Sequence, residues 1–265
     1  MSVDSGAPVR RGGELWREAG GSGDPTLLLL HGLGGTGGVW SPVLDRVRAD
    51  WPGSWVVCDL PGHGHSGWPA VASFGRYAAE VADLVGDSRD VVAVGHSLGG
   101  VVALLLGTGW FGVPVSRVVA IGVKVHWTDE ELEVSRRRAT KPVAYFPDED
   151  SALDRLVKVA GLPNGTPAGS DLVRRGLVSD PEGFRLSMDP AASPTARATE
   201  SPARMVSAAI GASRAEVRMV CGSEDPGVTI EQLRALDPDA IELPGAGHSP
   251  HVERPDEVYR IIRGL

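Results

Sequence analysis

Apolar positions along this chain follow two periods. Thr26 to Leu30, Trp55 to Cys58 and Val91 to Val94 are near-continuous apolar runs, each ended by glycine, aspartate or histidine. Short unbroken runs of this kind are the pattern of strands buried on both faces. Glu14 to Glu18, Arg117 to Val123, Glu216 to Cys221 and Ala240 to Leu243 are weaker runs of strand type. Between them the period changes to that of a helix. Trp40 to Ala49 reads as a helix with Ser41 as its cap and Pro42 in its first turn. Ser73 to Val85 carries Tyr77, Val81, Leu84 and Val85 on one stripe. Pro255 to Arg263 closes the chain as a helix that starts on proline. Strands alternating with helices predict an α/β fold with a mainly parallel sheet covered on both faces.

The rhythm breaks between Lys124 and Ser201. Thr128-Asp129-Glu130-Glu131 is a capping box that opens a helix. Ser151 to Ala160 forms a second helix, with Leu153, Leu156 and Val157 as its stripe and Gly161-Leu162-Pro163 as its stop. From Gly161 to Pro202 the chain is rich in proline, glycine and serine and is expected to hold only short helical pieces. The organisation read from this is a core of residues 1–123 and 202–265 with an inserted, mostly helical cap at 124–201.

Composition narrows the classes of function. The net charge is −8, from 26 basic and 34 acidic residues. That balance argues against nucleic acid or an anionic membrane as the main partner. Arg136-Arg137-Arg138 is flanked by acids and reads as a solvated helix face. Within 124–200 the charges nearly balance, 11 basic against 13 acidic, which gives no strong case for a charged substrate. Cys58 and Cys221 each end an apolar run, where a small buried hydrophobe is expected, so no disulfide framework is implied. The first 13 residues lack the apolar core of a signal peptide, and no run reaches the ~18 residues of a membrane span; a cytoplasmic protein is expected. The seven histidines show no metal-binding spacing, so neither a metal nor a cofactor is expected.

The chemistry centres on Gly95-His96-Ser97-Leu98-Gly99, which joins the strand run at Val91 to a run of small and aliphatic residues. G-x-S-x-G at a strand-to-helix turn exposes a serine on a strained backbone. The pentapeptide alone says little: with 35 glycines and 21 serines, chance supplies roughly 0.4 matches. Its context says more. His31-Gly32-Leu33-Gly34 follows an early strand, Asp59-Leu60-Pro61-Gly62-His63-Gly64-His65-Ser66 follows the next, Gly222-Ser223-Glu224-Asp225 follows a late one, and Gly245-Ala246-Gly247-His248 lies near the end. In this set and order the chain resembles the α/β-hydrolase family over nearly its whole length.

That resemblance implies a nucleophile–acid–histidine triad of Ser97, Asp225 and His248. It implies an oxyanion hole from the backbone N–H groups of Leu33 and Leu98. Rivals stand beside two of these, Glu224 next to Asp225 and His251 three residues after His248, and Ser66 is a second serine in a glycine-rich turn. His31, His126, Trp127, Tyr145 and Phe146 are candidate substrate contacts, each equally readable as packing. The expected activity is cleavage of a small-to-medium, largely apolar ester through an acyl-enzyme. Lactonase, thioesterase and carbon–carbon bond hydrolase are the neighbouring activities, and a small-molecule receptor on the same fold is the alternative from another class. Relatives that carry aspartate at the Ser97 position, epoxide hydrolases and haloalkane dehalogenases, are disfavoured.

Overall fold

The computed structural model describes residues 14–199 and 201–264. Nine strands are described: β1 (Arg17–Gly20), β2 (Thr26–Leu30), β3 (Trp55–Cys58), β4 (Val91–His96), β5 (Val115–Ile121), β6 (Leu177–Asp180), β7 (Gly183–Leu186), β8 (Glu216–Gly222) and β9 (Ile241–Leu243). Seven of them form one sheet in the order β1-β3-β2-β4-β5-β8-β9. Only β1 runs antiparallel, against β3; every other pairing is parallel.

The unbroken apolar runs exist because both sheet faces are covered. Successive side chains of a strand point to opposite faces. Leu28 and Leu30 of β2 enter one core with the helices α2 (Phe74–Ala82), α3 (Leu98–Gly107) and α6 (Pro202–Gly211). Leu27 and Leu29 enter the other with α1 (Ser41–Asp50) and α9 (Pro255–Arg263). All four leucines are fully buried, each contributing about 1.5–3 kcal/mol. Helix α3 is buried on every side, which explains its lack of an amphipathic stripe.

Several boundaries differ from the sequence expectation. The first strand is Arg17–Gly20 rather than Glu14 to Glu18. Trp16 is diverted instead: its N–H donates to Ser66 Oγ, and its ring lies under the Arg175 guanidinium at 3.6 Å. Ser41 is not a cap but the first residue of α1. A 3₁₀ turn at Gly37–Trp40, capped by the Thr36 hydroxyl, runs straight into that helix. Helices α6 and α7 (Ile230–Arg234) were not foreseen.

Between β5 and α6 the chain leaves the sheet. It forms α4 (Asp129–Ala139), opened by the expected Thr128 capping box. It then forms α5 (Glu149–Ala160), which begins two residues earlier than expected because Asp148 caps it, and ends at Gly161 in the left-handed conformation. The stretch after Gly161 holds more than helical pieces: β6 and β7 make an antiparallel hairpin, and Phe146 bridges to Phe184 at its edge. The four-residue strands Leu177–Asp180 and Gly183–Leu186 are too short for alternation to stand out among prolines and glycines.

This segment is held down at one point by charge. The Asp59 carboxylate, whose side chain is completely buried, accepts hydrogen bonds from the Gly37 and His65 N–H groups at 2.7 and 3.1 Å. Arg175 donates to the same carboxylate through Nε at 3.1 Å and Nη2 at 3.3 Å. A fully buried carboxylate persists because four donors replace its water.

Candidate active site

The loops that follow β2, β4, β5, β8 and β9 meet at the carboxyl edge of the sheet. The chain places β3 on one side of β2 and β4 on the other, so this edge is a topological switch point, where open α/β sheets bind ligands.

Ser97 sits between β4 and α3 with φ 48° and ψ −110°, the only non-glycine residue at positive φ among the described residues. Such a conformation costs about 1–3 kcal/mol and survives only where its surroundings enforce it. They do so here. A Cβ on Gly95 would lie 2.1 Å from the Gly99 carbonyl oxygen, and one on Gly99 would lie 2.4 Å from that of Leu30. The glycines of the motif are therefore fixed by close approach. The Ser97 N–H donates to the Ile121 carbonyl at 2.8 Å and the Gly99 N–H to that of His31 at 3.1 Å.

His248 Nδ1 donates to Asp225 Oδ2 at 2.8 Å, and Gly227 N–H donates to Asp225 Oδ1 at the same distance. The Asp225 side chain is wholly buried and that of His248 is 30% exposed. The ring thus has one nitrogen fixed and the other free for chemistry. Neither rival meets this description. Glu224 is exposed. His251 is buried between the rings of Trp40 and His96, at 4.6 and 4.5 Å, with both nitrogens unpartnered. Ser66 spends its hydroxyl on the Asp59 carbonyl and the Trp16 N–H.

His96 links the two halves of the site. Its Nε2–H donates to the His248 carbonyl at 2.9 Å, and the two rings meet edge to face at 4.7 Å. Burial pushes the His96 ring well below its ordinary pKa, and the nearby His251 and His248 add to the effect. His251, His31 and His63 are likewise pushed down by burial, to about 3, 4 and 3. These four buried rings, none of which lines the cavity over Ser97, are neutral at physiological pH.

Gly32 to Gly35 form a turn closed by the Gly35 N–H on the Gly32 carbonyl, with Gly34 at φ +79°. That turn does not use the Leu33 N–H. A Cβ on Gly32 would sit 3.3 Å from Ser97 Cβ, so the turn lies against the serine. Leu98 is the first residue of α3, and its N–H has no acceptor within the helix.

A cavity of about 810 Å³ opens over Ser97, Leu98 and Leu33. Of the candidate substrate contacts, Trp127 and Phe146 line it. The other three candidate contacts do not. His31 is fully buried with both nitrogens used, Nδ1 donating to the Gly32 carbonyl and Nε2 accepting from Leu60 N–H. His126 and Tyr145 are exposed and outside the lining, because α4 and the Phe146 bridge turn their neighbours inward instead. Residues not singled out in the sequence also reach the cavity. Lys124, paired with Glu131 and 4.9 Å from the Trp127 ring, is one. Arg138 is another, and so it is not merely part of a solvated face. Glu131, Val134 and Arg138 have the i, i+3, i+7 spacing of one helix stripe, a signal present in the sequence.

The fold and this edge define the class: the chain belongs to the alpha/beta hydrolase family, whose profile matches residues 27–261. Among individual relatives, a pimeloyl-[acyl-carrier protein] methyl ester esterase of Vibrio vulnificus strain YJ016 is 39% identical over 79 residues, 30% of this chain and 29% of that protein. A 2-succinyl-6-hydroxy-2,4-cyclohexadiene-1-carboxylate synthase of Pectobacterium atrosepticum is 42% identical over 82 residues, 30% of this chain and 31% of that protein. The chain thus matches under a third of the length of each. The crystal structure of E-2-(acetamidomethylene)succinate hydrolase superposes with a TM-score of 0.74 over 94% of both chains at 22% identity, a likeness of fold. Among the described residues no helix is long and apolar enough to cross a membrane.

Proposed function

We propose that this protein is a serine hydrolase of carboxylic esters or a closely related acyl bond. Ser97 Oγ attacks the acyl carbon while its proton passes to His248 Nε2. A serine hydroxyl is a weak nucleophile until a base takes that proton. Asp225 holds the other imidazole nitrogen, fixing the tautomer that leaves Nε2 basic and stabilising the imidazolium that forms. The Leu33 and Leu98 N–H groups receive the developing oxyanion, helped by the N-terminal end of the α3 dipole. The imidazolium then protonates the leaving group, and water, activated by the same histidine, releases the acid.

The observation that carries this reading is the 2.8 Å His248–Asp225 hydrogen bond beside a serine held at positive φ. A methyl ester esterase among the relatives agrees with the bond class. Segment 124–201 serves as the cap, supplying Trp127 and Phe146 to the cavity wall. A cavity of about 810 Å³ suits a substrate of medium size entering between cap and sheet.

The test is a 4-nitrophenyl ester assay with fluorophosphonate labelling. The native protein is expected to turn over the ester and to take up the label on Ser97. Ser97→Ala is expected to lose both while keeping its circular dichroism spectrum and Tm. Unlabelled native protein without turnover would favour a binding protein on this fold, and persistent activity in purified Ser97→Ala would refute the assignment.

A further inference from the structure

The cavity departs from the charge of the molecule around it. The whole chain carries −8, yet four basic residues, Lys124, Arg138, Lys141 and Arg155, line the cavity against two acids, Glu130 and Glu131. One pair cancels: Glu131 is engaged by Lys124 and by the Thr128 N–H. Arg138, Lys141 and Arg155 have side chains with neither an ion pair nor a hydrogen bond among the described residues. Arginines on this protein's surface do find acids where geometry allows. Arg136, two residues from Arg138, pairs with Glu133, and Arg76 pairs with Glu80. The remaining acid, Glu130, lies at the other end of α4, eight residues or about 12 Å from Arg138. The three uncompensated cations come from two elements, the α4 end with its following loop and the middle of α5, and they face one cavity. Leu33, Val101, Phe146 and Val159 add apolar surface to the same lining.

We propose that the substrate has an apolar body next to the scissile acyl group and an anionic oxyacid group, carboxylate or phosphate, at its far end, received by Arg138, Lys141 and Arg155. This rests on the serine hydrolase reading and refines its substrate class. Guanidinium groups suit such anions because they present paired donors. The charges are exposed, so the effect is screened by salt.

The experiment compares 4-nitrophenyl esters of straight-chain acids that end in methyl, in carboxylate or in phosphate, at matched chain lengths. At low ionic strength one anionic series is expected to exceed the neutral one about tenfold in kcat/KM, mostly through KM. The preference should fade near ~1 M salt. The R138Q/K141Q/R155Q variant is expected to lose it, the anionic and neutral series converging in kcat/KM. Whichever anionic series shows the preference identifies the group. Equal rates on neutral and anionic esters, or a triple variant that keeps the preference, would overturn the proposal. Failure of the hydrolase reading is separable. Calorimetric titration of the carboxylate-ended and the phosphate-ended ester into Ser97→Ala protein reads the anion site without turnover. Tighter binding of either one, weakened by the triple substitution, supports the site, and binding of both equal to that of the neutral ester refutes it.

Discussion

Gly161→Ala separates backbone strain from damage to the site. Gly161 ends α5 at φ +65°, and a Cβ there would stand 2.7 Å from His248 Cδ2. Carbon atoms in ordinary contact are about 3.5–4.0 Å apart, so the ring has to retreat by about 1 Å. The ring cannot retreat freely, because Nδ1 is bonded to Asp225 at 2.8 Å and the Ser249 hydroxyl donates to the Gly161 carbonyl at 2.7 Å. A displacement of about 1 Å along the bond to Asp225, in either direction, is incompatible with that contact, because good hydrogen bonds span only ~2.7–3.2 Å, and a sideways one bends it. A misplacement of that size in a catalytic group costs about 10²-fold in rate. The left-handed conformation itself costs alanine about 1–2 kcal/mol, or a fall of about 2–8 °C in Tm. Gly165→Ala is the control: φ is +79° and no atom lies within 4 Å of its Cβ. Gly165→Ala should lose only the backbone share of Tm and Gly161→Ala at least as much, while kcat on a nitrophenyl ester should fall about 10²-fold only in Gly161→Ala. Equal kcat in the two variants would refute the claim that Gly161 sets the position of the His248 ring.

Arg175→Ala leaves the Asp59 carboxylate buried with half its donors gone, and should cost about 3–5 kcal/mol, read as a fall of roughly 10 °C by calorimetry; a loss under ~2 °C would show that water replaces the arginine. Acid should unfold this protein early. His31, His63 and His251 titrate at about 4, 3 and 3 when folded, below the ordinary value of 6.5. As pH falls below about 6.5 the unfolded chain therefore binds protons that the folded one refuses, and stability drops by about 1.4 kcal/mol per pH unit for each ring until pH approaches that ring's folded value, about 4 for His31 and about 3 for His63 and His251. Urea midpoints measured from neutral pH downward should show this slope, and His251→Phe, which loses no hydrogen bond, should reduce it; an unchanged slope in that variant would contradict the burial of a neutral ring.

Much of the core was legible in the sequence because its signals are local. Thr26–Leu30, Trp55–Cys58 and Pro255–Arg263 stand at the residues expected, since a doubly covered strand must be apolar throughout and a helix that starts on proline declares its first turn. The Thr128 capping box and the Gly161 stop are equally local. The β6–β7 hairpin was not legible, because four-residue strands carry too little alternation, and their order depends on the bridge from Phe146 to Phe184.

The residue types near the edge of the sheet were also set by the sequence: a serine between glycines, an acid and a histidine in a fixed order. The resemblance implied Asp225 over Glu224 and His248 over His251, and the physical reason for each choice lies in the tertiary structure. Asp225 and Glu224 are adjacent in the chain, but in the turn after β8, held by the Asp225 N–H on the Gly222 carbonyl and the Glu224 N–H on the Ala246 carbonyl, one meets the His248 ring and the other faces solvent. His248 and His251 also separate, one against a carboxylate and one sealed between Trp40 and His96. Charge behaves likewise. Eleven bases against thirteen acids is a near balance along 124–200, yet folding pairs some of those charges with each other and leaves Arg138, Lys141 and Arg155 unpaired around one cavity. Composition sums charges, whereas Coulomb energy depends on their separations, and only the fold sets those.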